Sequence, residues 1–245
     1  MLTFALRDIK VKYAQTFLGI FWVVLQPVPS VVIFTFFFDR LIHVNTGLLP
    51  YPIFALTGMV AWNYFTGLSF GIGNSLIESQ HILKKVYFPK LILPAAKVLS
   101  TGADFMIAFL VVIIAMMFYS VWPNTGIFYF PLFLLFNIIT GFTIGIWISA
   151  LTFRYRDFQL FVPYVINFSI WLTPVFYPTT VLPKELEFIM YFNPMALVIE
   201  GYRFSLTGAT PPSSAFLYSI ALVLVLFLSG VWYFRRIEDE IADFV

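Results

Sequence analysis

From Phe105 to Phe153 the chain carries no charged side chain, and Tyr13 to Phe38 is likewise free of charge. Runs of this length cannot be hidden in a water-soluble fold, which carries roughly 25% charged residues. Here only 11% of 245 residues are charged, while 61% are hydrophobic and 20% aromatic. Lipid must be the solvent for most of the surface. The expected fold class is therefore an all-α integral membrane protein, one transmembrane domain over residues 1–245.

A helical span needs about 20 apolar residues. Six are predicted, at 17–38, 53–77, 91–119, 128–153, 158–177 and 216–234, with the turn-rich stretch SVWPNTG (Ser120 to Gly126) dividing the third from the fourth. The first run is too long for a signal peptide and has no small-residue cleavage site after it, so it reads as a retained span.

An even number of spans places both termini on one side, and the basic residues choose the side. Arg7, Lys10, Lys12, Lys84, Lys85, Lys90, Arg154, Arg156, Arg235 and Arg236 fall on the side of the termini. Only Arg40, Lys184 and Arg203 fall opposite, and Lys97 lies within a span. The termini and the polar segment ESQHILKKVYFPK (78–90) are expected to be cytosolic.

Residues 1–13 read as a helix lying along the inner interface, with Leu2, Leu6, Ile9 and Tyr13 on one stripe and Phe4 and Val11 off it. The alternative is a basic anchor that only fixes orientation. Residues 178–214 lie outside and are apolar enough to meet the membrane, yet are interrupted by Pro194 and Gly201. Two short re-entrant helices are expected there, with a plain interfacial loop as the other reading.

Chemistry is sparse. Cysteine is absent, His43 and His81 sit in different segments, and a net charge of +2 gives no reason to expect nucleic acid. No H-E-x-x-H or G-x-x-x-x-G-K-[ST] motif occurs, so ATP cannot bind through a P-loop of this chain. Asp104 is the one carboxylate deep in a span, with two readings: a hydrogen bond between helices, or a substrate or proton role. Lys97, seven residues earlier and ~10 Å along the axis, is poorly placed to pair with it and long enough to reach the cytosol.

Polar and aromatic residues recur at helical spacing in three spans. They are Trp22, Gln26 and Ser30 in the first; Trp62, Thr66, Ser69 and Gly73 in the second; and Tyr164, Asn167, Trp171 and Pro174 in the fifth. Flat rings with hydrogen-bonding handles suit a conduit for sugars. Helix packing is the competing reading, because Gly67-x-x-x-Gly71 and Gly141-x-x-x-Gly145 fit the small-residue motif.

The order of five segments resembles the membrane subunit of bacterial polysaccharide exporters, ABC type-2 permeases that move O-antigen, capsule or teichoic acid. The segments are RDIKVKYAQTFLGIFWVVLQP (7–27), HILKKVYFPKLILP (81–94), FRYRD (153–157), WLTPVFYP (171–178) and FNPM (192–195). The resemblance implies a homodimer in the inner membrane joined to two copies of a separate ABC ATPase, which would hold the ATP and Mg. This chain would bind no cofactor and catalyse nothing.

The substrate would be a lipid-linked polysaccharide. Segment 78–90 would be the coupling helix, presenting Ile82, Leu83, Lys84, Lys85, Val86, Tyr87, Phe88 and Pro89 to the ATPase. Arg7, Lys10 and Lys12 would meet the lipid diphosphate at the cytosolic entrance. Trp22, Gln26, Trp62, Thr66, Ser69, Tyr164, Asn167 and Trp171 would line the conduit. Glu200 and Arg203, one turn apart and able to pair, would form the outer gate. A permease for a drug or small lipid is the nearest rival; an intramembrane glycosyl- or acyltransferase is a rival of another class, weakened by the lack of a paired acid or His.

Overall fold

The computed structural model describes residues 2–14, 19, 21–25, 27–41, 43–47, 49–80, 89–155 and 157–243. Among these every regular element is helical. Helix α1 (Leu2–Ala14) is followed by α2 (Phe21–Leu25) and α3 (Pro27–Phe34), which runs into a π-helical turn at Thr35–Leu41. Then come α4 (Tyr51–Glu78), α5 (Ile92–Phe118) and, after a short 3-10 turn at Thr125–Tyr129, α6 (Phe130–Arg154). Helix α7 (Asp157–Ser169), two short helices α8 (Glu187–Phe192) and α9 (Pro194–Thr207), and α10 (Leu217–Asp243) complete the order.

Among the described residues four helical stretches are long and apolar enough to cross a membrane: Phe21–Leu41, Ile92–Phe118, Thr125–Arg154 and Ser214–Ile237. They coincide with the first, third, fourth and sixth predicted spans. The other two behave differently, each for a physical reason.

Helix α4 has 28 residues, about 42 Å at 1.5 Å per residue, which is long enough. It is less apolar because it is the hub of the bundle, buried along most of its length, and packs chiefly on α5 and α6. Glycines set the closeness of the α4–α6 seam. A Cβ on Gly141 would lie 2.8 Å from Leu68, and one on Gly145 would lie 2.6 Å from Ile72. Gly67 lies in the α4–α5 seam, where a Cβ would stand 2.9 Å from Thr101. Both small-residue motifs serve packing here.

The fifth predicted span, 158–177, is not one continuous helix. Helix α7 ends at Ser169 after 13 residues and turns fill the stretch before Pro178. Pro174 lacks the amide a helix would need, and Thr173 before it is biased towards extended backbone. The unwound carbonyls then need donors from elsewhere in the chain.

Two helices, α8 and α9, lie within residues 178–214, divided at Asn193-Pro194. Asn193 caps α9 by accepting from the Met195 amide (3.0 Å), and Pro194 occupies the first turn, where its missing N–H costs nothing. Gly201 is no break. It lies inside α9, and a Cβ there would fall 2.2 Å from the Phe133 ring of α6. Gly201 is a contact point between helices.

Candidate functional site

The charged side chains that bond between helices gather towards the two ends of α4. Phe54 and Glu78, which mark them, are about 36 Å apart along its axis at 1.5 Å per residue.

At the Glu78 end lies a cavity of about 590 Å³ between α1, α4 and α5. Helix α1 turns its small and polar side inward. Ala5 is buried, Phe4 packs against the core, Ile9 and Tyr13 are half-buried, and Leu2, Leu6 and Val11 are exposed, so the stripe is split between the bundle and the outside. Charge adds to this packing. Lys97 of α5 reaches Asp8 of α1 at 2.9 Å and Glu78 of α4 at 2.8 Å. About two turns further along α5, Lys12 of α1 lies 2.5 Å from one oxygen of Asp104. The Tyr13 hydroxyl donates to the other.

Asp104 therefore bonds between helices, one of its two predicted readings. Lys97 does not extend freely to water but joins three helices. Arg7 folds back on Asp8 at 2.9 Å and lies over the Phe4 ring. Burial alone would raise the Asp8 carboxyl, but the hydrogen bonds and charges of Lys97 and Arg7 outweigh it and hold Asp8 below the ordinary carboxylate range. Of the three predicted phosphate-binding cations, Arg7 and Lys12 are thus engaged with carboxylates, while Lys10 is exposed and makes no ion pair among the described residues.

A second cavity of about 450 Å³ shares Lys12, Gly67, Thr101 and Asp104 with the first and extends along α4. Trp62, Asn63 and Thr66 of α4 and Asn167 of α7 line it. The other predicted conduit residues are scattered. Ser69 is fully buried in the α4–α6 seam, its hydroxyl aimed at the Gly141 carbonyl at 3.5 Å. Gln26 lies outside the described residues. Trp22, Tyr164 and Trp171 are exposed on the outside of the single chain.

Predicted coupling residues Ile82, Leu83, Lys84, Lys85, Val86, Tyr87 and Phe88 also lie outside the described residues; Pro89 is exposed, and its carbonyl accepts the Ile92 amide at the start of α5.

At the Phe54 end a guanidinium is buried. Arg203 of α9 donates to the carbonyls of Pro174 (2.8 Å), Val175 (2.8 Å) and Phe54 (3.1 Å), and lies 3.4 Å from the centre of the Phe54 ring. These are the carbonyls the α7 break leaves without helical partners, together with one from α4. Gly58 makes room, since a Cβ there would meet the Val175 oxygen at 2.7 Å. The predicted Glu200–Arg203 pair is not formed. Backbone carbonyls take the guanidinium, and Glu200 instead accepts a hydrogen bond from Thr179. Burial pushes the Glu200 carboxyl up, partly offset by that bond and by the Arg203 charge.

Sequence spacing carries no sign of these fastenings, because the partners are 19 to 149 positions apart. The available signal was the cost of an isolated ionisable group in an apolar chain, which marks Arg203, Lys97 and Asp104 without naming their partners.

The family model described as ABC-2 type transporter matches residues 1–207. Among curated proteins, the O-antigen export system permease protein RfbA of Klebsiella pneumoniae is 26% identical over 240 residues, covering 97% of this chain and 91% of that protein. RfbA of Myxococcus xanthus is 24% identical, with 97% and 92% covered. The polysialic acid transport protein KpsM of Escherichia coli is 20% identical, with 96% and 92% covered.

Proposed function

The chain belongs to the ABC-2 type transporter family, and we propose that it is the membrane subunit of an ATP-driven exporter carrying a lipid-linked polysaccharide of the O-antigen kind across the bacterial inner membrane. One observation carries this reading: relatives named for O-antigen export align with this chain over nearly the full length of both partners.

In this reading the chain crosses the membrane six times. The four long apolar stretches are joined by α4, shielded at the centre, and by α7 with the unwound segment after it. The excess of basic residues on the side of the termini makes that side cytosolic. A homodimer forms the conduit, and two copies of a separate ABC ATPase bind ATP and Mg. Residues Ile82 to Pro89 dock on the ATPase, an apolar knob ringed by lysines.

The two connected cavities beside α1 form the cytosolic entrance. Lys10 is the cation placed to meet a phosphate first, with Arg7 and Lys12 available once their carboxylates release them. Exposed Tyr164, Asn167 and Trp171 face the conduit. Arg203 and Glu200 stand at the outer gate, Arg203 holding its backbone and Glu200 facing the water.

Transport is mechanical. ATP closes the ATPases and the coupling segment passes the movement to the helices. ATP shifts that equilibrium only as far as its differential affinity for the two states allows.

The test deletes the gene for this chain and follows surface polysaccharide and lipid-linked glycan inside the cell. Surface glycan is expected to disappear while the lipid-linked form accumulates, and the intact gene restores both. The chain is expected to co-purify with its ATPase, and Val86→Asp with Tyr87→Asp to abolish that association. Normal surface glycan in the deletion strain defeats the proposal.

A further inference from the structure

Beside Arg203 lies a cavity of about 490 Å³ that the entrance, conduit and coupling roles leave unused. This is within the size range of small-molecule sites, ≈ 300–1,000 Å³. Its walls carry Asn45, Thr46, Thr179, Thr180, Glu200 and Thr210, with Phe54 among the apolar residues. Some of these groups are already occupied: Thr46 donates to the Leu49 carbonyl (2.7 Å), and the Asn45 side-chain oxygen accepts the Gly47 amide (2.9 Å). Among the described residues the hydroxyls of Thr180 and Thr210 and the amide nitrogen of Asn45 make no hydrogen bond, and Glu200 makes no ion pair.

The inventory is selective. A carboxylate only accepts hydrogen bonds, and strongly, so Glu200 suits a ligand that presents hydroxyl donors. Threonine hydroxyls both donate and accept, matching a ring rich in hydroxyls. An acidic ligand would face the Glu200 carboxylate. The guanidinium in the wall already gives four of its five N–H groups to the carbonyls of Phe54, Pro174 and Val175.

We propose that this cavity is a saccharide subsite for a neutral, hydroxyl-rich sugar unit, with Glu200 accepting sugar hydroxyls and Thr180, Thr210 and Asn45 completing the contacts. The proposal rests on the polysaccharide-export reading and deepens it, adding discrimination against acidic sugars.

The experiment uses the full chain with its ATPase in nanodiscs and reads saturation-transfer NMR on maltose, lactose and N-acetylneuraminic acid. At least one neutral disaccharide is expected to receive saturation and the acidic sugar none. Glu200→Gln is expected to weaken neutral-sugar binding about ten-fold, as befits a hydrogen bond to a charged group, and Thr180→Val with Thr210→Val several-fold.

The threonine variant stands in if Glu200→Gln lowers the melting temperature. Binding of neither neutral disaccharide, equal binding of the acid, or full binding in a folded variant overturns the subsite. The deletion assay does not involve this cavity. A chain that exports glycan but binds no neutral sugar here loses the subsite and keeps the exporter reading; normal surface glycan in the deletion strain removes the exporter reading itself.

Discussion

A guanidinium taken out of water costs several kcal/mol unless its donors find acceptors, and Arg203 finds three carbonyls. The interaction works in both directions, because an unwound backbone in apolar surroundings is tolerated only where something satisfies it. Arg203→Met is therefore expected to destabilise the chain by about 3 kcal/mol or more, since each orphaned carbonyl costs about 1–3 kcal/mol. Arg203→Lys should recover little, because an ammonium cannot match the planar fork that spans two successive carbonyls and a third on α4. Glu200→Gln should leave stability nearly unchanged, because no ion pair is lost. Thermal melts followed by tryptophan fluorescence decide this; a lysine variant as stable as the parent would show that charge alone matters at this position.

Among the elements, α1 was legible as a helix but not in its attachment. Its sequence stripe pointed to a helix lying along the membrane interface and carried no sign of its bonds to the bundle, Asp8–Lys97, Lys12–Asp104 and Tyr13–Asp104. Lys12→Asp and Asp104→Lys should each loosen α1 by about 1 kcal/mol, the scale of a half-exposed ion pair, and the combined swap should restore it. The mobility of a spin label attached to a thiol introduced at Val11, exposed on the docked helix, in a chain without native cysteine, reads the docking.

Acidity should act through Asp8, whose carboxyl is held below its ordinary value. Its contribution is complete above about pH 3.9 and is lost as the pH falls through the lower, folded-state value. Spin-label mobility should therefore rise only in acid, and mobility that rises towards alkaline pH instead would remove Asp8 from this role. The four long spans were legible because an uninterrupted apolar run of about 20 residues is what crossing a bilayer demands. The α7 break was not, because Pro174 looks tolerable in an apolar run until one asks which donor serves its neighbours. That donor, Arg203, is 28 positions beyond Val175.

On the scale of the whole molecule, the surface has two kinds of exposed apolar face. Helices α5 and α10 expose aliphatic rows, including Leu110, Ile114, Leu224 and Leu228, which ask for nothing but lipid. Helix α7 exposes Phe161, Tyr164 and Phe168, and the turn after it exposes Trp171. The flank of this side carries exposed Asn167, and its amide, like the Tyr164 hydroxyl, has no partner in hydrocarbon tails. A face of this kind is stable against water, glycan or another protein surface. On the polysaccharide-export reading, with the conduit between two copies of the chain, the α7 face is the one suited to line it.

The prediction is that Tyr164→Cys, in the cysteine-free chain, is captured as a covalent dimer by a short bis-maleimide in native membranes. Leu228→Cys on the aliphatic face of α10 should stay monomeric. Cross-linking across α7 should also reduce surface glycan when the reagent is applied to permeabilised cells, because it ties together helices that must separate for the polymer to pass. Dimer capture at Leu228 with none at Tyr164 would turn the assembly around and place α10, rather than α7, beside the conduit.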